Sequence, residues 1–141
     1  MCCFFHSTLA PDDICHACGH MTQNGQWTQP AWKPPTGSKQ YKPSYNIGPT
    51  CYLPVMLSKT HFQENLDKSQ TNVETAKSSQ SDSCEWIIQP MRWGLVPSWH
   101  TGDPSKVGYN MINARSDTVL NKKTFSAPLK KGQRCVVLAE G

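Results

Sequence analysis

The sequence predicts an α+β fold, a partly open β-barrel or sandwich of short, mainly antiparallel strands with flanking helices. Three observations predict this class. The longest apolar runs, at 55–57 and 136–139, have the length of short strands. Proline, glycine and asparagine recur through residues 23–50, which is typical of turns and loops. Helix-start signals occur near Pro11 and Asp117.

The first elements are predicted from the N-terminus onward. Residues 1–22 begin with an extended or irregular tip, and a short helix follows. Its start at Pro11-Asp12-Asp13 places acidic side chains at the positive end of the helix dipole. Residues 51–57 are predicted to form a strand. Pro54 would make it an edge strand or a bulge, because proline has no N–H to donate.

The middle of the chain is divided by a polar segment. Residues 63–84 are rich in Gln, Ser, Thr and Asn without an apolar period, which predicts a disordered loop insertion inside one domain spanning residues 1–141. Residues 85–99 contain two short β-like runs interrupted by Pro90 and Pro97.

The last third is predicted to alternate between extended and helical structure. Residues 109–115 look extended, 116–126 are a candidate helix capped by Ser116 or Asp117, and 134–139 are a strand. A domain rarely ends inside its most apolar segment. We therefore expect a C-terminally truncated domain whose last strand leaves an unpaired edge.

Composition limits the class of protein. The chain has 141 residues, 37% apolar and 17% charged, which suits one small domain. No apolar run approaches the roughly 18 residues of a membrane span, so an integral membrane protein is excluded. Without a secretory signal, the seven cysteines indicate reduced intracellular thiols.

Charge is unevenly distributed along the chain. Residues 62–89 carry five acids and two lysines, whereas residues 90–141 carry eight basic residues and three acids. A basic half that contains tryptophans fits nucleic-acid binding, and an ordinary lysine-rich surface is the alternative.

Cys2 is the most reactive candidate. Removal of Met1 would leave a free α-amine and a thiol on adjacent carbons. Such an aminothiol condenses with an aldehyde to an imine, and the thiolate then closes a thiazolidine ring. An N-terminal nucleophile is a second possibility, and a small second residue with no catalytic role is the third.

Cys15 and Cys18 have zinc-like spacing, with His16 and His20 nearby. A structural zinc site needs four ligands, and no second Cys-x-x-Cys pair is present. On a helix the two thiols share a face, which favours core packing. We predict no metal site and no cofactor.

Aromatic and arginine side chains interleave in the basic half, where aromatics can stack on unpaired bases and arginines can hold phosphates. They are Arg92, Trp93, Trp99, Tyr109 and Arg115. Trp86 and Trp93 are interpreted as core residues on short strands. Asn113 follows apolar Met111 and Ile112, and it is either a site wall or part of a buried polar network.

Five motifs resemble, in order and spacing, the SOS response-associated peptidase (SRAP) family. They are Cys2, the Pro-Ser-Tyr-Asn-Ile-Gly-Pro run at 43–49, the Pro-Met-Arg-Trp-Gly-Leu-Val-Pro-Ser-Trp run at 90–99, Asn-Ala-Arg-Ser-Asp-Thr at 113–118, and Arg-Cys-Val-Val-Leu-Ala-Glu-Gly at 134–141. The resemblance covers essentially the whole chain apart from 63–84.

The resemblance implies a protein that shields abasic sites in single-stranded DNA, notably at stalled replication forks. Cys2 would join the ring-opened sugar aldehyde as a thiazolidine, a covalent DNA–protein crosslink. The full-length parent would also have peptidase-like self-processing, with hydrolase or lyase chemistry. A monomer in the nucleus, working with replication-fork proteins, is the expected setting.

The resemblance also implies roles for other side chains. Asn113 would position the sugar or the amine beside Cys2. Arg115 would hold backbone phosphate, and Arg92 would line a basic groove. Trp99 and Tyr109 would form a wedge that stacks on bases.

Two departures from the family pattern keep an alternative open. The family usually begins Met-Cys-Gly-Arg, whereas this chain has Cys3 and Phe4. The family continues beyond the equivalent of Gly141 with a Phe-Tyr-Glu-Trp run and, later, a histidine. That glutamate is an acid/base group, and Glu140 does not correspond to it. The alternative is a non-catalytic fragment that binds single-stranded DNA.

Overall fold

Short strands and helices follow one another in the computed structural model, which describes residues 4–35, 40–60, 85–107 and 111–140. The strands are β1 (Phe5–Ser7), β2 (His20–Met21), β3 (Trp27–Thr28), β4 (Ala31–Trp32), β5 (Ser44–Ile47), β6 (Tyr52–Ser58), β7 (Trp86–Arg92) and β8 (Val136–Val137). The helices are α1 (Pro11–Ala17) and α2 (Lys123–Lys130), and a 3-10 turn spans Pro104–Lys106.

The largest sheet has four strands in the order β4-β7-β6-β8. Strands β1 and β5 form a separate antiparallel pair, as do β2 and β3. The pair of β4 with β7 is parallel, whereas β6 runs antiparallel to both of its neighbours. The fold is therefore α+β with mainly antiparallel pairing, as predicted. Within the described residues the sheets are open and do not close a barrel.

Strand β6 lies inside the sheet, so the prediction that Pro54 marks an edge or a bulge is wrong. Pro54 lies directly opposite Pro90 of β7, and its carbonyl accepts a hydrogen bond from the N–H of Leu138. The carbonyl of Pro54 thus faces β8, away from β7. Because Pro54 and Pro90 are opposite each other without hydrogen bonds between them, neither missing N–H removes a bond between β6 and β7. Both strands can therefore continue through their prolines.

Helix α1 begins where the sequence predicts, with Pro11 at its first turn followed by Asp12 and Asp13. Its buried residues, Ile14 and Cys15, join the main core cluster. That cluster also contains Tyr41, Ile47, Leu53 and Ile88.

The four-stranded sheet also contributes to a second, smaller core cluster. Ile87 packs there with Val55 and Leu57, whereas Ile88 belongs to the main cluster. Adjacent residues of a strand point to opposite faces. Both faces of β7 are therefore buried at this point, and Ile87 and Ile88 are 1% and 0% exposed.

Several predicted elements differ from the structure. The loop predicted at 23–50 contains the short strands β3, β4 and β5. Of the second β-like run, which follows Pro90, only Met91 and Arg92 are in a strand, as the end of β7, and 93–99 and 111–115 contain no strand. Backbone pairing with a neighbouring strand, rather than side-chain pattern, decides each of these cases.

The helix predicted at 116–126 instead forms later, as α2, and its N-cap residue is Lys122. Asp117 does not cap a helix because its carboxylate is bound by Arg115, and residues 116–121 form turns. The final strand is shorter than predicted and pairs with β6 through Val136 and Val137. The polar segment predicted at 63–84 lies outside the described residues.

Candidate nucleic-acid interface

A cavity of about 580 Å³ opens at the end of β7. It lies between β1, the segment that follows the 3-10 turn, α2 and β8. Among its lining residues are Phe5, Arg92, Trp93, Asn113, Phe125 and Val137. Most of the lining is apolar, and Arg92 and Asn113 add a guanidinium group and an amide. Two of the predicted site residues are thus brought to one cavity although 21 positions separate them in the sequence.

Trp93 fixes the wall of the cavity that carries Asn113. Its indole N–H donates to the carbonyl of Ile112 at 3.1 Å, and the N–H of Leu95 donates to the carbonyl of Met111 at 3.1 Å. The Trp93 ring also lies 4.9 Å from the ring of Phe5. Trp93 packs against the core, as interpreted from the sequence. Trp86 does not, because its side chain is 40% exposed at the start of β7.

Arg92 reaches the 3-10 turn. Its two terminal nitrogens donate to the carbonyls of Pro104 and Ser105 at 3.5 and 3.4 Å, which are long and weak hydrogen bonds. The guanidinium therefore lies between the cavity and the loop that begins at Asp103. Asp103 caps this turn by accepting the N–H of Ser105.

Trp99 is presented at the tip of a tight turn. The N–H of His100 donates to the carbonyl of Pro97 at 2.9 Å, which closes the turn and leaves the Trp99 side chain 57% exposed. An exposed indole on a closed turn can stack on a flat partner without rearrangement of the backbone. Trp99 is outside the lining of the cavity.

Arg115 forms an ion pair with Asp117 at 2.8 Å. Both carboxylate oxygens take part, so the pair is bidentate. This hydrogen bonding raises the pKa of Arg115 and lowers the pKa of Asp117. The two side chains stay on the surface, and Arg115 does not line the cavity. Cys2 and Tyr109, the other two predicted site residues, lie outside the described residues.

Glu140 has a role that the sequence analysis did not find. Its carboxylate accepts hydrogen bonds from the backbone N–H and the hydroxyl of Thr8, and its own N–H donates to the carbonyl of His6 at 2.8 Å. The hydrogen bond from the Thr8 N–H is the main reason why the pKa of Glu140 is lowered. The contacts with Thr8 join positions 132 residues apart, so no local pattern could have revealed them.

Phe4, directly before β1, is an exposed aromatic side chain at the position where the resemblance implies an arginine. Phe4 is 60% exposed, and its ring lies over Gly48, where a Cβ atom would stand 3.3 Å from the nearest ring carbon. Phe5, the next residue, lines the cavity. This part of the surface is therefore aromatic.

The zinc-like cysteines belong to the region around α1. Cys15 is buried in the core cluster and Cys18 packs against it. Burial raises the pKa of both thiols. Among the residues with a described position, no three His, Cys, Asp or Glu side chains are grouped to hold a metal ion. Within all the residues that the structure describes, no helix is long and apolar enough to cross a membrane.

Comparison with known proteins defines the class. The sequence matches the SOS response associated peptidase (SRAP) family over residues 1–141, and the chain belongs to that family. It is 43% identical to the abasic site processing protein HMCES of Rattus norvegicus over 134 residues, 94% of this chain and 33% of that protein. The HMCES protein of Xenopus tropicalis is 42% identical over 142 residues, 100% of this chain and 38% of that protein.

A bacterial relative is more distant. The abasic site processing protein YoaM of Bacillus subtilis (strain 168) is 29% identical over 101 residues, which are 72% of this chain. The chain spans 33% to 38% of the length of these three relatives.

Proposed function

We propose that this chain takes part in processing abasic sites in DNA, and that it traps them in single-stranded DNA as a covalent thiazolidine at Cys2. Membership of the SRAP family and the names of the relatives support abasic-site processing. The covalent step rests on the chemistry of an N-terminal cysteine together with the cavity at the end of β7.

The observation that carries the proposal is the position of β1 at this cavity. Phe5 is part of the lining, together with Arg92 and Asn113. Three peptide units separate Phe5 from Cys2, so chain connectivity limits the distance between their Cα atoms to about 11 Å. The proposal brings the amine and thiol of Cys2 to this pocket, which offers a guanidinium group and an amide.

The reaction balances as a condensation. After Met1 is removed, the α-amine of Cys2 attacks the aldehyde carbon of the ring-opened sugar, and the aldehyde oxygen leaves as water when the imine forms. The Cys2 sulfur then bonds to the imine carbon, and the thiol proton moves to the nitrogen. No oxidant or metal is needed, and the product keeps the DNA attached to the protein.

The remaining side chains have binding roles in this proposal. The Asn113 amide orients the sugar or the amine, because it lines the cavity. Arg115 and Arg92 hold phosphate groups, and the exposed Trp99 stacks on an unpaired base together with Tyr109.

A denaturing gel tests the covalent step. Met-processed protein is incubated with a single-stranded oligonucleotide that contains one abasic site, beside the variants Cys2→Ala, Cys2→Ser and Cys51→Ala. We expect a heat-stable shift for the wild type and for Cys51→Ala, since Cys51 is an exposed thiol that lacks an adjacent amine. We expect no shift for either Cys2 variant, and a shift that persists in Cys2→Ala would contradict the proposal.

The same gel measures the contribution of Asn113. We expect Asn113→Ala to slow crosslinking by about 10- to 100-fold, the effect of losing orientation of the reacting groups. A crosslinking rate equal to that of the wild type would remove Asn113 from the proposed site.

A second candidate function is non-covalent binding of single-stranded DNA. The exposed Phe4 favours it, because the resemblance implies an arginine near the DNA backbone at this position and an aromatic ring stands there instead. This function predicts a mobility shift on a native gel that disappears on the denaturing gel, without any dependence on Cys2.

The setting of the whole protein is part of the proposal. We infer a nuclear monomer that works with replication-fork proteins and, in its full length, has peptidase-like self-processing with hydrolase or lyase chemistry. Size-exclusion chromatography tests the monomer, and imaging of the tagged full-length protein tests the nuclear location.

A further inference from the structure

We propose that Asp117 is a positioning residue that holds the Arg115 guanidinium in the orientation needed to bind a phosphate of single-stranded DNA. This inference rests on the proposed function, because it concerns how the same protein would bind the DNA backbone. It gives a role to a carboxylate that would otherwise be expected only to repel DNA.

The geometry of the pair leaves one edge of the guanidinium accessible. The Arg115 Nε–H donates to Oδ1 of Asp117 at 3.1 Å, and Nη2 donates to Oδ2 at 2.8 Å. Arginine has five N–H donors in a planar group. Asp117 uses two of them, so three remain: one donor on Nη1 and one on Nη2 point in parallel along the end of the group, and the second donor on Nη1 points back towards Cδ. A phosphate can accept two parallel hydrogen bonds from that end.

The backbone fixes the two residues relative to each other. The Arg115 carbonyl accepts hydrogen bonds from the N–H groups of Val119 at 2.9 Å and of Thr118 at 3.2 Å, which closes a turn around Asp117. The carboxylate is therefore carried on a closed loop of backbone and not on a flexible segment. Less side-chain entropy is lost when DNA binds, since the guanidinium is already ordered.

Both side chains of the pair lie on the surface, where DNA would approach. The side chain of Arg115 is 75% exposed and that of Asp117 is 55% exposed. Trp99 is also exposed, and the proposed function uses it for base stacking. Among the residues that the structure describes, the side-chain partner of Arg115 is Asp117, which is itself exposed.

Charge and orientation predict opposite effects for one substitution. Asp117→Asn removes a negative charge, and attraction to the DNA backbone alone would then strengthen binding. If Asp117 positions Arg115, the same change weakens binding, because the guanidinium loses the bidentate pair that holds its orientation. The sign of the change in affinity thus separates the two roles.

The experiment measures binding to a fluorescent single-stranded oligonucleotide with a reduced abasic analogue, which has no aldehyde and cannot crosslink. We expect Asp117→Asn to weaken binding about two- to fivefold, the size expected for an exposed charged contact. Arg115→Ala should weaken it at least as much, and the double variant no further than Arg115→Ala alone. Asp117→Glu should restore most of the affinity.

A matched control carries the same change in charge elsewhere. Asp13→Asn removes a carboxylate from the first turn of α1, and we expect affinity equal to or slightly above that of the wild type. The salt dependence gives a second measure. The slope of log affinity against log salt is negative, and its magnitude should decrease by about 0.7 in both Arg115→Ala and Asp117→Asn. This is the change expected when one single-strand phosphate contact is lost.

Each outcome has a distinct meaning. Binding of Asp117→Asn that is as tight as that of Asp13→Asn, or tighter, would overturn the positioning role and leave Asp117 as a competing anion. Failure of the wild type to bind would overturn the proposed function, and the inference with it. Circular dichroism spectra of all variants, which change exposed side chains, verify that the fold is retained.

Discussion

The indole N–H of Trp93 donates to the carbonyl of Ile112 across 3.1 Å and so joins the end of β7 to the residue before Asn113. The same Trp93 ring contacts Phe5 of β1. Trp93 therefore sets the position of the Asn113 amide relative to β1, the strand that follows Cys2 in the sequence. Core packing and the geometry of the cavity are coupled at this residue.

Replacing Trp93 tests this coupling. Trp93→Phe keeps an aromatic ring but removes the N–H donor, so the Ile112 carbonyl loses its partner. We expect the free energy of unfolding to fall by about 1 to 3 kcal/mol, measured by urea titration. The rate of crosslinking should also fall, because Asn113 directly follows Ile112 and would lose its fixed position.

Trp86→Phe is the control for that substitution. Trp86 is 40% exposed at the start of β7, and we expect its replacement to change stability by less than about 0.5 kcal/mol. Equal losses for the two variants would show that the Ile112 hydrogen bond has no special contribution.

Tyr41 provides a second prediction, about a buried hydroxyl. Its hydroxyl lies 2.7 Å from the Ser7 hydroxyl, and its one proton is shared between the carbonyls of Ser7 and Leu9, at 3.0 and 3.1 Å. We expect Tyr41→Phe to cost about 1 to 3 kcal/mol, because these groups lose their partner in a buried site. Tyr45→Phe, on a side chain that is 80% exposed, should be nearly neutral. A thermal melt of both variants would decide, and a neutral Tyr41→Phe would argue against the hydrogen bonds.

The pH dependence of stability is expected to report on Glu140. Its pKa is lowered in the folded chain, chiefly by the hydrogen bond from the Thr8 N–H. The stabilisation is therefore complete above the ordinary glutamate pKa of about 4.3 and is lost as the pH falls through the lower folded value. Glu140→Gln should have a lower Tm than the wild type at pH 7, and the difference should shrink below about pH 4.

Glu85→Gln, at an exposed glutamate before β7, is the reference for Glu140→Gln. Thermal melts from pH 7 to pH 3 compare the two variants with the wild type. A constant difference between wild type and Glu140→Gln across this range would mean that the Glu140 carboxylate contributes nothing through its charge.

Much of the fold was predictable because its signals are local. The start of α1 follows from a proline and two acids in one helical turn, and β6 follows from a short apolar run. The position of α2 was not predictable, because Asp117 has two possible partners. As a helix cap it would bind backbone N–H groups, but in the structure it binds the side chain of Arg115.

The sequence proposes the residues of the candidate site, and the structure decides which of them meet. Arg92 and Asn113 both line the cavity, whereas Trp99 and Arg115 lie outside the lining on exposed turns. The contact of Glu140 with Thr8 depends on how β8 leads the chain back to β1, which is a property of the whole sheet arrangement.

The sequence by itself determined the fold class, the family and the residue types available for chemistry, because turn residues, apolar runs and motifs are encoded locally. Only the tertiary structure decided that Pro54 lies inside a sheet, opposite Pro90, and that Trp93 anchors the segment of Asn113. Strand partners and long-range hydrogen bonds depend on which chain segments meet in the folded state. Burial then determines which of those contacts the chain must satisfy.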